Sequence, residues 1–348
     1  MIEKRITTLL EEMKRHRIQT MLITNLTNIR YLSGFTGSNA FLIISPNSSL
    51  LITDSRYTEQ ASIEVKGFEI ITYRKSLEEK IANYLSQYRR VAFEKSITYE
   101  LHEKISKALP DKTRFEPSPS LIEEMRATKD KTEIARIRKS VEIARKSYKA
   151  CIPKIRAGIE ERELAMEIEF LMRKEGAEES AFDTICASGK NSSLPHAKAG
   201  RRKIIEGDTV IIDFGAKFKG YNSDITRTLI LGKPKKEVEE IFKLLKSVLT
   251  ETIKGARPGI CASDLDGIAR TKIEREGYGS YFLHGLGHGI GLDVHEKPNI
   301  SATSKDKINP GMVFTIEPGI YIEGKFGIRI EEMLLMREST PLLLTKGF

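Results

Sequence analysis

The chain has no apolar stretch near the roughly 18 residues that a membrane-spanning helix needs, which excludes an integral helical membrane protein. Its opening residues, MIEKRITTLLEEMKRHR, are charged throughout and lack the apolar core of a secretory signal. Cysteine is scarce and odd in number. Cys151, Cys186 and Cys261 stand far apart, which excludes a disulfide framework and a cysteine-rich zinc module and fits a reducing cytoplasm. No RNP, zinc-finger or other nucleic-acid signature accompanies the excess of 57 Lys+Arg over 48 Asp+Glu, so the net charge of +9 reads as a solvated basic surface. Histidine is rare too: there are six, and three of them crowd into residues 284–295.

What is present describes a soluble globular protein. With 348 residues, 40% hydrophobic and 30% charged, the chain has material for about two domains. The first third alternates helical and strand-like patterns. Ile2, Ile6, Leu9, Leu10 and Met13 make a stripe at helical spacing. Short apolar runs follow at 21–24, 40–44, 50–53, 68–72 and 91–93, interleaved with helical stretches at 76–88 and 99–109. This predicts a smaller α/β domain over residues 1–118. From there to residue 348 the pattern predicts an α+β domain, with helix pairs around antiparallel strands. Its helices fall at 131–152 (closed by Pro153), 161–175 (stopped by Gly176), 236–254 and 264–276. Ser263 and Asp266 resemble a capping box for the last of these. Its strands fall at 209–215, 223–231, 313–316 and 327–336.

Two hairpins in that second domain carry paired acids. In TVIIDFGAKFKGYNSDITRT, a turn centred on Phe218–Lys219 places Asp213 and Asp224 opposite each other. The pair fits two unrelated aspartates at strand ends as well as it fits a cation site. TIEPGIYIEGKFGIRIEE is nearly symmetric about Gly324, so Glu317 and Glu331 also face each other. Ile328 and Ile330 share one face of the returning strand, while Arg329, Glu331 and Met333 share the other, which selects Glu331 over Glu332 as the inward acid. Glu317 follows the apolar Val-Phe-Thr-Ile run, and a buried carboxylate is costly unless something neutralises it.

The third signal is HGLGHGIGLDVHE. Gly285, Gly287, Gly289 and Gly291 make a helix there unfavourable, so His284 and His288 point the same way from an extended strand. Any of His284, His288 and His295 alone could be an ordinary packed histidine, but three beside four acids favour a metal centre. Four carboxylates with one histidine form a mostly oxygen-donor site, which suits manganese, cobalt or iron better than zinc. That much negative charge implies two divalent ions.

These motifs resemble the pita-bread metallopeptidases, in particular the Xaa-Pro dipeptidase (prolidase) and aminopeptidase P branch. The N-terminal NIRYLSGFTGS and LLITDSRYTEQA are similar to that branch's creatinase-type N-terminal domain, which disfavours methionine aminopeptidase. The resemblance implies a pita-bread fold for residues 119–348. It also implies a metal-ligand set of Asp213, Asp224, His288, Glu317 and Glu331 around two ions, manganese first, with cobalt or iron as alternatives and zinc least favoured.

A hydroxide bridging the ions would attack the carbonyl before proline, with Glu317 moving the proton. His295 would stabilise the tetrahedral intermediate and His196 would sit near the leaving proline. His284 would line the proline pocket, and Arg329 would hold the substrate or order Glu331. Tyr221 is no more than a candidate contact. The implied substrates are Xaa-Pro dipeptides, or longer Xaa-Pro peptides for an aminopeptidase, and the implied assembly is a homodimer. The intact set of five ligands argues against a metal-free creatinase-like activity and against a non-catalytic peptide-binding module. Glu332 departs from the Asp that many relatives carry after the last ligand.

Overall fold

The structure, a computed structural model, describes residues 2–348. Residues up to Arg126 form one compact unit and Ala127–Phe348 form another. The first unit is a mixed six-stranded sheet. Its strand order is Glu69–Tyr73, Ser48–Asp54, Ala40–Ser45, Thr20–Ile23, Arg90–Phe93 and Arg114–Pro117. The fully buried Leu51, Ile52, Leu22 and Val91 explain the short apolar runs of the sequence. Helix Ile2–Arg15 buries Leu9 and Met13, as its stripe predicts. Among the described residues no helix is long and apolar enough to cross a membrane.

The second unit combines four long helices with antiparallel strands. Helix Lys131–Cys151 starts at a capping box in which Asp130 accepts from Thr132 and Glu133 while Glu133 accepts from the Asp130 N–H. It turns inward Ile137, Val141, Ala144 and Tyr148, a stripe at i, i+4, i+7 and i+11 as helical spacing requires. Helix Ala262–Arg275 corrects the expected cap. Its N-cap is Cys261, Ser263 lies inside the first turn, and Asp266 is fully buried. Asp266 instead pairs with Arg270 at 2.7 Å and accepts the Leu286 N–H at 3.1 Å, which ties this helix to the glycine-rich strand.

Strand alternation then separates core from cavity. Phe314 and Ile316, with Ile328, Ile330, Leu334 and Met336, pack with Ile241, Leu245, Val248, Leu265 and Ile273 of helices Lys236–Gly255 and Ala262–Arg275. The odd-numbered neighbours Thr315, Glu317, Arg329, Glu331 and Met333 are left for the opposite face. Burying each of those large apolar side chains stabilises the sheet by about 1.5–3 kcal/mol. The register of the acids therefore rests on hydrophobic burial, because a one-residue slip would turn every carboxylate into the helix layer.

Candidate metal centre and active site

The hairpin around Gly324 has the predicted symmetry. Gly319 pairs with Arg329 and Ile322 with Phe326, and the next ladder pairs Ile316 with Glu332. The register runs unbroken through the gap, so Glu317 and Glu331 are opposed. The other hairpin differs from expectation by one position. Its turn is Lys219–Gly220, with φ of 48° and 82°, a primed turn whose twist suits a two-residue hairpin. Phe218 consequently pairs with Tyr221, and Asp213 pairs with Thr226. Asp224 is two positions from that partner, a diagonal neighbour of Asp213 and not its direct opposite.

The glycine-rich segment is extended at Gly287–Gly289, between strands Glu296–Ile300 and Val313–Ile316. The glycines there are a packing requirement. A Cβ on Gly287 would lie 2.2 Å from the Thr315 carbonyl oxygen, and one on Gly289 would lie 2.0 Å from that of Lys297. Close approach on the glycine side leaves the intervening His288 side chain on the acid side.

One cavity of about 760 Å³ is lined by all nine predicted site residues: His196, Asp213, Asp224, His284, His288, His295, Glu317, Arg329 and Glu331. Asp224, Arg329 and Glu331 are buried, whereas His196 and His295 are exposed. Ligand atoms of Asp224, His288 and Glu331 all lie within 4.8 Å of one another. His288 Nε2 is 3.5 Å from Asp224 Oδ2 and 3.4 Å from Glu317 Oε1. Its Nδ1 is 3.1 Å from the Gly289 carbonyl oxygen, which can only accept. The proton therefore belongs on Nδ1, and the Nε2 lone pair is turned toward the acids.

The electrostatics ask for a cation. Burial first, and then the charges of Glu331, Asp213 and Glu317, push the Asp224 carboxyl well above the usual carboxylate range. Burial with Glu317 and Asp213 does the same to Glu331. Glu317 is pushed up to about 8 by burial and by Asp213, against the opposing pull of Arg329. His288 is pushed down to about 4 by burial and by the neighbouring His295, so it is a neutral lone-pair donor at pH 7. Asp213 Oδ1 and Glu331 Oε1 are buried with no hydrogen-bond partner. Unpartnered acceptors of this kind cost about 1–3 kcal/mol each, more when charged, unless something occupies them. A neutral imidazole nitrogen and orphaned carboxylate oxygens are the donor set of a divalent metal, and the residues fit one.

The remaining partners hold these ligands in place. Thr226 donates to Glu331 Oε2 at 2.9 Å. Arg329 reaches Asp213 Oδ2 at 2.5 Å, Tyr321 at 2.8 Å, the Thr226 hydroxyl at 3.0 Å and the Pro195 carbonyl at 3.1 Å. His284 Nδ1 is 2.7 Å from the Gly285 carbonyl, so its Nε2 accepts from the Tyr321 hydroxyl at 3.0 Å. Burial pushes His284 down to about 4. Glu332 points away from the cluster, to Arg227 at 3.0 Å and to Thr345. Tyr221 is not a contact of the cavity; its hydroxyl donates to Glu133 at 2.9 Å. The sequence reading missed Tyr321 and Thr226. Both were accessible from parity: Tyr321 shares the odd face of Glu317, and Thr226 the even face of Asp224.

The chain resembles known proteins along nearly its whole length. Residues 135–338 match metallopeptidase family M24, and residues 5–128 match the creatinase/prolidase N-terminal domain. The chain is 38% identical to a Xaa-Pro dipeptidase of Pyrococcus horikoshii over 350 aligned residues, 99% of this chain and 97% of that one. It superposes on the structure of a Xaa-Pro dipeptidase from Bacillus anthracis with a TM-score of 0.96 at 36% identity, covering 100% and 98% of the two chains. An X-Pro aminopeptidase structure from Thermotoga maritima gives a TM-score of 0.87 at 40% identity, covering 96% and 97%.

Proposed function

The chain belongs to metallopeptidase family M24, and on that premise we propose that it hydrolyses Xaa-Pro peptide bonds as a Xaa-Pro dipeptidase. The observation that carries the reading is the cluster of opposed, buried carboxylates with orphaned oxygens around the neutral His288 Nε2. Asp213, Asp224, His288, Glu317 and Glu331 would hold two divalent cations, manganese ahead of cobalt or iron. Such ions polarise a carbonyl and lower the pKa of water enough to supply a nucleophile at neutral pH.

The chain's own residues do the rest. Arg329 fixes Asp213 and, through Tyr321, the neutral tautomer of His284, so both meet a substrate in one orientation. Thr226 fixes Glu331. Glu317 Oε1, 3.4 Å from His288 Nε2 within the acid cluster, would take a proton as the ionised carboxylate and return it to the departing proline nitrogen. The exposed imidazoles of His295 and His196 stand in the cavity as donors to the carbonyl oxygen and beside the leaving proline. Partial burial of its ring lowers the His295 pKa, so it acts as a neutral hydrogen-bond donor.

The likeness to the Thermotoga maritima X-Pro aminopeptidase supports a second reading, cleavage of longer Xaa-Pro peptides. A panel of Ala-Pro and Ala-Pro-Ala with Mn²⁺, Co²⁺ and Zn²⁺ decides between them. The dipeptidase reading expects Ala-Pro to have the higher kcat/KM, with Mn²⁺ the best metal. Preference for Ala-Pro-Ala would replace it with the aminopeptidase reading, and no cleavage of either with any metal would end both. A homodimer in the cytoplasm completes the proposal, and light scattering of the purified protein at twice the 39.3 kDa chain mass is its check.

A further inference from the structure

His196 lies in a segment without regular secondary structure, between the 3-10 turn Gly189–Ser193 and Glu206–Gly207, and it lines the cavity wall. The neck of this segment meets Glu161, the first residue of helix Glu161–Lys174 and fully buried. Its carboxylate accepts from the Ser188 N–H and hydroxyl, both at 2.7 Å, and from Asn191 Nδ2 at 3.0 and 3.2 Å. It also accepts from the Gly200 N–H at 3.4 Å. Those donors stand at the two ends of the loop, before and after His196. Two backbone bonds close the same neck, from the Glu161 N–H to the Arg202 carbonyl at 3.0 Å and from the Arg162 N–H to the Gly200 carbonyl at 3.0 Å. A single buried carboxylate thus gathers both ends of the loop.

We propose, resting on the Xaa-Pro peptidase reading, that Glu161 is a positioning residue for the hydrolysis, acting through the neck of loop 188–200 on His196. It touches neither the acids of the metal centre nor the cavity. All of its partners are donors, so the carboxylate cannot be exchanged for an amide. In Glu161→Gln one oxygen becomes an N–H₂ that faces Ser188, Asn191 or Gly200 donor to donor, and the neck opens on that side. The catalytic contribution of a group depends on its position to within about 1 Å, and misplacement by that much costs on the order of 100-fold. Lys190 and Lys198 within the loop, and Arg201 just beyond it, offer trypsin a direct report on the neck.

The test uses full-length Mn²⁺-loaded protein as wild type, Glu161→Gln, His196→Ala and the double variant. Kinetics on Ala-Pro, metal content and rates of limited tryptic cleavage are measured for each. The expected result is a loss of about 10- to 100-fold in kcat/KM for Glu161→Gln, with metal content unchanged and faster cleavage at Lys198 or Arg201. In the His196→Ala background the same substitution should cost less than about threefold. Unchanged kcat/KM in Glu161→Gln would overturn the proposal, as would an equal loss with and without His196. Should Glu161→Gln not fold, Asn191→Ala removes one donor from the same carboxylate and is read by the same comparison. A wild type inactive on Ala-Pro and Ala-Pro-Ala would be a failure of the peptidase reading, and the tryptic rates alone would then judge the clamp.

Discussion

Stripping the metal should make the acid cluster a measurable burden on the fold, and Glu317 gives the clearest readout. Burial and Asp213 raise its carboxyl from an ordinary 4.5 to about 8. An acid whose pKa is raised on folding binds its proton more tightly in the native state, so stability falls as pH rises between the two values. The penalty is well under about 1 kcal/mol at pH 4.5 and approaches about 4 kcal/mol at pH 8. The side chain keeps 17% of its surface open to the cavity, and solvent there trims the upper figure to about 2–4 kcal/mol. In metal-stripped protein Glu317→Gln should therefore match wild type near pH 4.5 and unfold about 5–15 °C higher at pH 8. Scanning calorimetry of both proteins after chelation, across pH 4.5–8, measures the difference directly. A variant no more stable than wild type at pH 8, or a difference that shrinks as pH rises, would refute the electrostatic account of the site. Saturating Mn²⁺ should reverse the order, because wild type gains binding energy that the variant lacks.

Other substitutions probe the supports. Lys129 forms a buried ion pair with Glu296, next to His295, at 2.7 Å; Lys129→Met removes the cation from this buried carboxylate and should cost about 3–5 kcal/mol in denaturant unfolding. Gly289→Ala places a Cβ 2.0 Å from the Lys297 carbonyl oxygen, so it should lower stability by about 1–3 kcal/mol and weaken metal binding measured by calorimetry. Arg329→Lys keeps the charge but cannot reach Asp213, Tyr321, Thr226 and Pro195 together, so kcat on Ala-Pro should fall by at least about 10-fold.

The sequence was most informative where burial forces a pattern. The acids opposed across Gly324 were legible because strands of period two must send Phe314, Ile316, Ile328 and Ile330 to one face and Glu317, Arg329 and Glu331 to the other. The Asp213–Asp224 hairpin was legible only to within one position. Lys219 occupies a left-handed conformation that its residue type does not announce, and this shifts the turn by one residue. The helix after Cys261 was misjudged at its start because Ser263 and Asp266 have capping chemistry, while the tertiary pull of Arg270 and Leu286 takes Asp266 inward. Short elements such as helices Leu26–Ser33 and Thr58–Glu64 have too few turns to establish a period. Parity puts Tyr321 on the face of Glu317, but nothing local in Gly-Ile-Tyr-Ile says that its hydroxyl lies between Arg329 and His284.

The most direct measurement is a titration of chelated protein with Mn²⁺, following bound metal and Ala-Pro hydrolysis in the same samples, with Asp224→Ala in parallel. The account predicts no hydrolysis in the stripped protein, recovery complete at about two ions per chain, and neither tight binding of two ions nor recovery in Asp224→Ala. Full hydrolysis of Ala-Pro by the stripped protein with no metal restored, or full activity in Asp224→Ala, would contradict it.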